Sequence, residues 1–135
     1  MKPNKKGFTL SEVLLATAIL AFALTGVLLV YINCVLLNDA NRNLTIALTH
    51  AQFALEEIKN TNFSNIIPTY NLVTWDQTAI SAKGLTTLSS ENIDFTAAIE
   101  GGDANLLNVA TTVSWKDRNG RDRNTFLQTL IYRQL

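Results

Sequence analysis

A long apolar stretch lies near the start of the chain. No charged residue occurs from Val13 to Asn38, and Leu, Ala, Val and Ile supply most of the 26 positions. As a helix, a segment of this length extends about 39 Å, more than the roughly 30 Å of a bilayer's hydrocarbon core. The pattern therefore predicts a helix long enough to cross a membrane.

The apolar stretch continues into an amphipathic pattern without a break. No proline occurs between Pro3 and Pro68, so nothing covalent interrupts a helix there. We predict one nearly continuous helix over residues 9–60, apolar on all sides at first and amphipathic later. Its second half carries apolar side chains at the 4-3-4-3 spacing of a single helical stripe. That stripe consists of Leu44, Leu48, Ala51, Leu55 and Ile58.

The last 30 residues alternate in the manner of β-strands. Leu107–Trp115 and Asn124–Tyr132 flank Asn119–Gly120, and Asn-Gly favours a two-residue type I′ hairpin turn. Such a turn places an apolar face of the hairpin, together with Trp115, against the helical stripe. The pairs that it predicts are Val113 with Phe126, Val109 with Leu130 and Leu107 with Tyr132.

The middle of the chain, residues 62–106, is polar and weakly periodic. Short strands are expected at Asn71–Trp75 and Ile93–Ile99, between glycine and proline breakers. The expected fold class is α+β: a long N-terminal α-helix with a hydrophobic first half, packed on a small C-terminal antiparallel sheet.

Charge is balanced overall but unevenly distributed. The 11 basic and 11 acidic residues cancel, so composition alone does not indicate a nucleic-acid partner. Lys2, Lys5 and Lys6 all precede Gly7, and without them 8 basic residues face 11 acidic ones, a net charge of −3. Lysines before an apolar segment favour a cytoplasmic N-terminus, which sends the rest of the chain outward. The single cysteine, Cys34, excludes an intramolecular disulfide.

The run Gly7-Phe8-Thr9-Leu10-Ser11-Glu12, after a basic leader and before the apolar stretch, resembles the class III signal of type IV prepilins and of type II secretion pseudopilins. The resemblance implies that a prepilin peptidase/methyltransferase cleaves between Gly7 and Phe8 and methylates the new amine of Phe8. It also implies that Glu12 guides assembly. The expected organisation is a leader of residues 1–7, a transmembrane and filament-core helix of residues 8–37, and a pilin-like globular domain of residues 38–135.

The family implied by this resemblance makes structural subunits rather than enzymes. The small globular part, the missing C-terminal disulfide loop and the short final strand look most like minor pilins or I-type pseudopilins. The expected partners are other pilins or pseudopilins and an assembly platform in the bacterial inner membrane. A single-pass subunit of this kind enters a pilus or pseudopilus from that membrane. The alternative from another class is a monomeric membrane-anchored module that binds DNA or protein.

Two simpler interpretations of the N-terminus carry less weight. A secretory signal peptide has about 7–15 apolar residues and a small-residue cleavage site after them, whereas this run is longer. A plain signal anchor would leave Glu12 without a role, although an ionisable residue in an apolar segment commonly marks function.

Other candidate chemistry is sparse. His50 is the one histidine, and a partly solvated position is expected for it; there is no nucleophile elbow, so no catalytic residue and no cofactor is assigned. Glu100 to Asp103 lacks the spacing of an EF-hand loop, so no metal site is assigned. Asp117 and Asp122 alternate with the basic residues near the hairpin turn, which favours a solvated turn over a DNA surface and leaves nucleic acid as the weaker alternative. Those basic residues are Lys116, Arg118, Arg121, Arg123 and Arg133.

Overall fold

The first helix, α1, runs from Leu10 to Lys59, so the predicted helix over residues 9–60 is confirmed to within one residue at each end. The computed structural model describes residues 7–133. The chain forms two compact units, the first ending at Asp39 and the second beginning at Ala40.

In the first unit, α1 is apolar on every side, and its residues from Leu10 to Asn38 are all exposed. Within residues 7–133, α1 is the helix whose length and composition suit a membrane span, and none of its apolar stretch is buried. Exposed apolar surface on this scale is unfavourable in water, since burying it is worth roughly 25 cal/mol per Å². This part of α1 therefore needs lipid or other protein around it.

The second unit adds two short helices that the sequence pattern did not predict. Helix α2 spans Phe63–Tyr70 and helix α3 spans Gln77–Ala82. The side chains of Asn62 and Asp76 cap them, each accepting a backbone N–H from the first turn. Asn and Asp are preferred at this position because their oxygens satisfy donors that the helix leaves unpaired.

Four antiparallel strands complete the second unit. They are β1 at Thr74–Trp75, β2 at Asn92–Ile99, β3 at Leu106–Lys116 and β4 at Asp122–Tyr132. Their order in the sheet is β1-β2-β3-β4, so β1 and β4 form its two edges. The α+β class, with a long N-terminal helix and a C-terminal antiparallel sheet, is confirmed and is pilin-like.

The core lies between the second half of α1 and one face of the sheet. Part of the predicted stripe is wrong: Leu44 is exposed and Leu48 is half-buried. The buried face is centred instead on small residues, whose short side chains let backbones approach closely. It comprises Ala47, His50, Ala51, Ala54, Leu55 and Ile58. The sheet contributes Ile93, Phe95, Ala97, Leu107, Val109, Val113 and Trp115.

The predicted register of the final hairpin is wrong by one residue. Val113 pairs with Thr125, Val109 with Thr129 and Leu107 with Ile131. Because side chains alternate between the two faces of a strand, a shift of one residue moves every side chain of β4 to the opposite face. Leu127 and Ile131 therefore pack against the core, whereas Phe126, Leu130 and Tyr132 are exposed.

The turn explains the shift. Five residues, Asp117 to Arg121, separate Lys116 from its partner Asp122. The backbone N–H of Asp117 donates to the Arg121 carbonyl (2.9 Å), and that of Gly120 donates to the Asp117 carbonyl (2.9 Å). Gly120 has a φ of 73°, a value that favours glycine. A five-residue loop, rather than a two-residue Asn-Gly turn, sets the pairing.

Candidate processing and assembly site

The Gly7–Phe8 bond lies immediately before α1, in a segment without regular secondary structure. The Phe8 side chain is 88% exposed. A Cβ added to Gly7 would meet no described atom within 4 Å. The described fold therefore does not itself require glycine at position 7, and a preference for it would come from a binding partner.

Thr9 and Glu12 form a capping box at the start of α1. The Glu12 Oε2 atom accepts from the backbone N–H of Thr9 and from its hydroxyl, at 2.8 Å each. In return, the Thr9 hydroxyl accepts from the backbone N–H of Glu12 at 3.3 Å. This reciprocal arrangement satisfies donors that the first helical turn leaves unpaired.

The capping box gives Glu12 a partner within its own chain, which the sequence argument missed. The signal was visible as Thr-x-x-Glu before an apolar run. Glu12 is an exposed residue, and both contacts of its carboxylate use Oε2; within residues 7–133, Oε1 makes no hydrogen bond. The carboxylate thus stabilises the helix start and keeps one oxygen available for a donor from outside.

Further along the apolar part of α1, a shallow apolar groove lies over Gly26. A Cβ added to Gly26 would meet nothing within 4 Å. In membranes, small residues of this kind allow another helix to approach closely. The groove is lined by Ala23, Gly26, Val27, Val30, Tyr31 and Cys34.

Residues 2–28 match the family model described as the prokaryotic N-terminal methylation motif. This match supports a type IV pilin-like prepilin signal. It covers 27 of the 135 residues and includes Gly7, Phe8 and Glu12. No curated protein and no solved structure shows significant similarity to the chain.

The methylation motif, the apolar α1 and the α+β fold support a precursor of the type IV pilin or pseudopilin type. The motif is typical of structural pilins, which are not enzymes, and it implies processing by a prepilin peptidase and assembly with other pilins. The apolar N-terminal helix is consistent with anchoring in the inner membrane. The basic leader residues Lys2, Lys5 and Lys6 lie outside the described part of the chain.

His50 is buried, which corrects the expectation of a partly solvated position. Its Nδ1 atom lies 2.7 Å from Oε1 of Glu91, and Oε2 of Glu91 accepts from the backbone N–H of Leu88 at 2.7 Å. The pair joins α1 to the segment just before β2. No group of three or more His, Cys, Asp or Glu side chains suited to a metal occurs within residues 7–133.

The charges of the β3–β4 loop are largely paired with one another. Asp117 Oδ2 accepts from Nε of Arg121 (3.0 Å) and of Arg123 (3.3 Å), and Lys116 Nζ lies 3.1 Å from Asp122 Oδ1. The backbone N–H of Arg121 donates to Asp117 and is the main reason that the pKa of this carboxyl lies below its usual range. These contacts favour a structural role for the cluster over phosphate binding.

The turn that contains Glu100 and Asp103 is also held by hydrogen bonds. Asp103 Oδ1 accepts from the backbone N–H of Asn105 (2.9 Å), and Glu100 Oε2 accepts from the Asn108 amide (2.8 Å). The two carboxylates stabilise the turn and the adjoining strand, which is a structural use of both groups.

Proposed function

We propose that this chain is a structural subunit, of the minor type, of a type IV pilus or type II secretion pseudopilus. Prepilin peptidase removes residues 1–7 by cutting after Gly7, and the new amine of Phe8 is methylated. The mature subunit remains in the inner membrane through α1, with its C-terminal unit outside, until it enters the filament. The observation that carries this proposal is the methylation motif at residues 2–28, together with the exposed apolar first half of α1.

Glu12 links cleavage to assembly in this proposal. An ionised carboxylate among Leu10, Val13 and Leu14 is costly in an apolar environment unless a donor meets it. Thr9 supplies two donors to Oε2, and Oε1 can accept a third. Cleavage creates an amine at Phe8 that the precursor does not have, and the amine of an adjacent subunit then meets Oε1. The contact sets the axial offset between neighbouring helices.

The apolar side chains of α1 supply the remaining contact surface. They lie on all sides of the helix and are exposed in the single chain, so neighbouring helices can replace lipid around them. The groove at Gly26 gives one place where two helices can approach most closely. Residues 8–37 thus act first as membrane anchor and later as filament core.

The alternative, a monomeric anchored binding module, predicts a different fate for the mature chain. The test expresses the chain with its assembly machinery and compares the membrane fraction with sheared surface filaments. Recovery of mature chain in filaments supports the subunit. Mature chain that stays in the membrane fraction while other subunits form filaments would overturn the proposal in favour of the monomeric module.

A further inference from the structure

A cleft on the C-terminal unit lies between α1 and the loop that follows α3. Its volume is about 390 Å³, within the range of pockets that hold small ligands. Ile46 and Leu85, both half-buried, give it apolar walls. His50 is its most deeply buried lining residue, with 4% of its surface exposed, and Arg42 lies on its exposed rim. The cleft therefore combines apolar walls with a buried imidazole and an exposed guanidinium.

One ring nitrogen of His50 has no partner among the described residues. Its Nδ1 atom lies 2.7 Å from Oε1 of Glu91, whereas Nε2 makes no hydrogen bond to any residue between 7 and 133. Nε2 is not sealed in the core either, because the Thr111 hydroxyl is the one fully buried side-chain nitrogen or oxygen without a partner in that part of the chain. Since His50 lines the cleft, Nε2 opens onto it.

Glu91 determines what Nε2 presents to the cleft. The Glu91 carboxylate accepts from the backbone N–H of Leu88 through Oε2 and contacts Nδ1 of His50 through Oε1. A neutral imidazole keeps its proton on the nitrogen that faces a carboxylate, so Nε2 presents a lone pair. The cleft thus holds a fixed hydrogen-bond acceptor that a ligand with an O–H group can reach.

Arg42 supplies the charge of the cleft. Among the lining residues within positions 7–133, it is the one that carries a full charge, and its guanidinium makes no ion pair or hydrogen bond in that range. The nearby charges are already in use. Lys83, next to the cleft, pairs with Glu57 at 2.6 Å, and Asp39, three positions before Arg42, has a partner of its own. A ligand with one negative charge would therefore neutralise the cleft.

These groups specify an extended ligand with a negative charge at one end and a hydroxyl at the other. Arg42 and His50 are eight residues apart on α1, about 12 Å of helix rise, so a single phosphate ion is too small to contact both. A phosphate diester carries one negative charge for Arg42, and an attached hydroxyl donates to Nε2. An ammonium group is disfavoured, because both oxygens of Glu91 are occupied and no carboxylate remains to meet it.

The place of Arg42 on α1 favours a lipid as the source of this phosphate. Arg42 follows Asn38, the last residue of the uncharged stretch, by four positions, or about one helical turn. Arginine side chains just beyond the end of a span reach the head-group layer. That layer widens the bilayer from about 30 Å to about 40–45 Å. Lipid phosphates are therefore within the reach of Arg42 when α1 lies in a membrane.

We propose that this cleft binds the phosphoglycerol head group of an anionic membrane lipid. Arg42 pairs with the phosphate, and Nε2 of His50 accepts a hydrogen bond from a glycerol hydroxyl. The inference rests on the membrane insertion of α1 that the proposed function also uses, and it adds a lipid to the protein partners. The site gives the C-terminal unit its own contact with the bilayer surface.

The single histidine makes this site directly observable. The full chain, with ¹⁵N-labelled histidine, is reconstituted in phosphatidylcholine nanodiscs that contain increasing amounts of phosphatidylglycerol, and the Nε2 resonance is followed by NMR. We expect the resonance to shift with phosphatidylglycerol, because a hydrogen bond to the lone pair changes the shielding of the nitrogen. Phosphatidylmethanol is the matched lipid, with the same charge and no hydroxyl, and should leave the resonance in place. Equal shifts with both lipids, or none with phosphatidylglycerol, would overturn the proposal.

Arg42→Gln tests the contact with phosphate. Arg42 is exposed, so the substitution is expected to keep the fold. It should raise the amount of phosphatidylglycerol needed for a half-maximal Nε2 shift several-fold. Lys59→Gln removes one exposed positive charge from the other end of the same helix and should leave that amount unchanged. Equal effects of the two substitutions would indicate general attraction to an anionic surface and overturn the site.

Two further outcomes separate the source of the ligand and the proposed function. Soluble glycerol 3-phosphate, added to phosphatidylcholine nanodiscs, is expected to leave Nε2 in place; a shift with it and none with phosphatidylglycerol would overturn the lipid as ligand. A chain that enters nanodiscs and shows no shift overturns the cleft and leaves the filament subunit intact. A chain that does not enter them overturns the membrane anchor on which both depend.

Discussion

His50 Nδ1 and Glu91 Oε1 are 2.7 Å apart in the core of the C-terminal unit, although 41 residues separate them in sequence. Both side chains are buried, and the second oxygen of Glu91 accepts a hydrogen bond from the backbone N–H of Leu88. One carboxylate therefore fixes both the face of α1 and the segment that leads into β2.

We predict that Glu91→Ala destabilises the C-terminal unit by about 3–5 kcal/mol, because it leaves the His50 ring and the Leu88 N–H buried without a partner. The measurement is urea unfolding of a fragment that begins at Ala40, where this unit begins. Glu56→Ala, at an exposed position of the same helix, is the matched control and should change stability by less than about 0.5 kcal/mol. Equal effects of the two substitutions would contradict the role of the pair.

The register of β4 predicts that truncating two adjacent residues lowers stability by very different amounts. Phe126 is exposed and Leu127 packs against the core. Phe126→Ala is therefore expected to change the unfolding free energy by about 0.5 kcal/mol or less. Leu127→Ala is expected to cost about 2 kcal/mol, the low end for a buried leucine, since it is only partly buried. The reverse order in urea unfolding would support the Asn-Gly register.

The sequence predicted where α1 and β4 lie better than it predicted which of their side chains are buried. Helix α1 followed from unbroken apolar and amphipathic spacing, which is a local property. The register of β4 did not, because it depends on whether the Asp117 side chain and backbone organise a five-residue loop around Gly120. The buried face of α1 differs from the predicted stripe because it includes Ala47 and Ala54. Alanine contributes little to a hydrophobic pattern, yet its small side chain permits the closest packing.

For the candidate site, too, local sequence features were predictable and long-range contacts were not. The roles of Gly7, Phe8 and Glu12 stay predictions from a contiguous run, and the family match covers that run. The cap between Thr9 and Glu12 was within reach of sequence reasoning, since the spacing is local. The contact of His50 with Glu91 was not, because no periodicity relates residues in a helix and a distant loop.

The lowered pKa of Asp117 predicts that the stability of the C-terminal unit depends on pH. Its folded-state pKa is lowered, first by the Arg121 N–H, so its stabilising contribution is complete above the unfolded value of about 3.9 and is lost as pH falls through the lower folded value. Asp117→Asn should therefore reduce the Tm of the fragment at pH 7, and the difference from wild type should narrow below about pH 4. Asp122→Asn, in the same loop but with a side chain that is 86% exposed, should shift Tm less at pH 7. A constant difference between Asp117→Asn and wild type across this range would contradict the assignment.

We propose two separable roles for Glu12: the helix cap with Thr9 and the pairing with a neighbour's amine. Glu12→Gln keeps an oxygen that can accept from Thr9 but removes the charge. We predict normal insertion and cleavage and about a tenfold or greater loss from sheared filaments, which corresponds to about 1.4 kcal/mol of lost contact free energy. Glu12→Ala should lose both roles, and Glu12→Asp should be partly tolerated.

Thr9→Val is the matched control for the cap alone, because it removes the hydroxyl and keeps the carboxylate. It should reduce filament incorporation less than Glu12→Gln. Wild-type incorporation of Glu12→Gln together with poor incorporation of Thr9→Val would show that Glu12 serves only the start of its own helix.

The intact mass of the mature chain tests the central claim most directly. We predict a mass that corresponds to residues 8–135 plus one methyl group on the amine of Phe8. Gly7→Val should leave the full precursor mass, because a branched side chain hinders the extended chain in the peptidase cleft, whereas the described fold has room for it. A wild-type chain that keeps residues 1–7 in the presence of an active prepilin peptidase, or one cut beyond residue 30, would contradict the account.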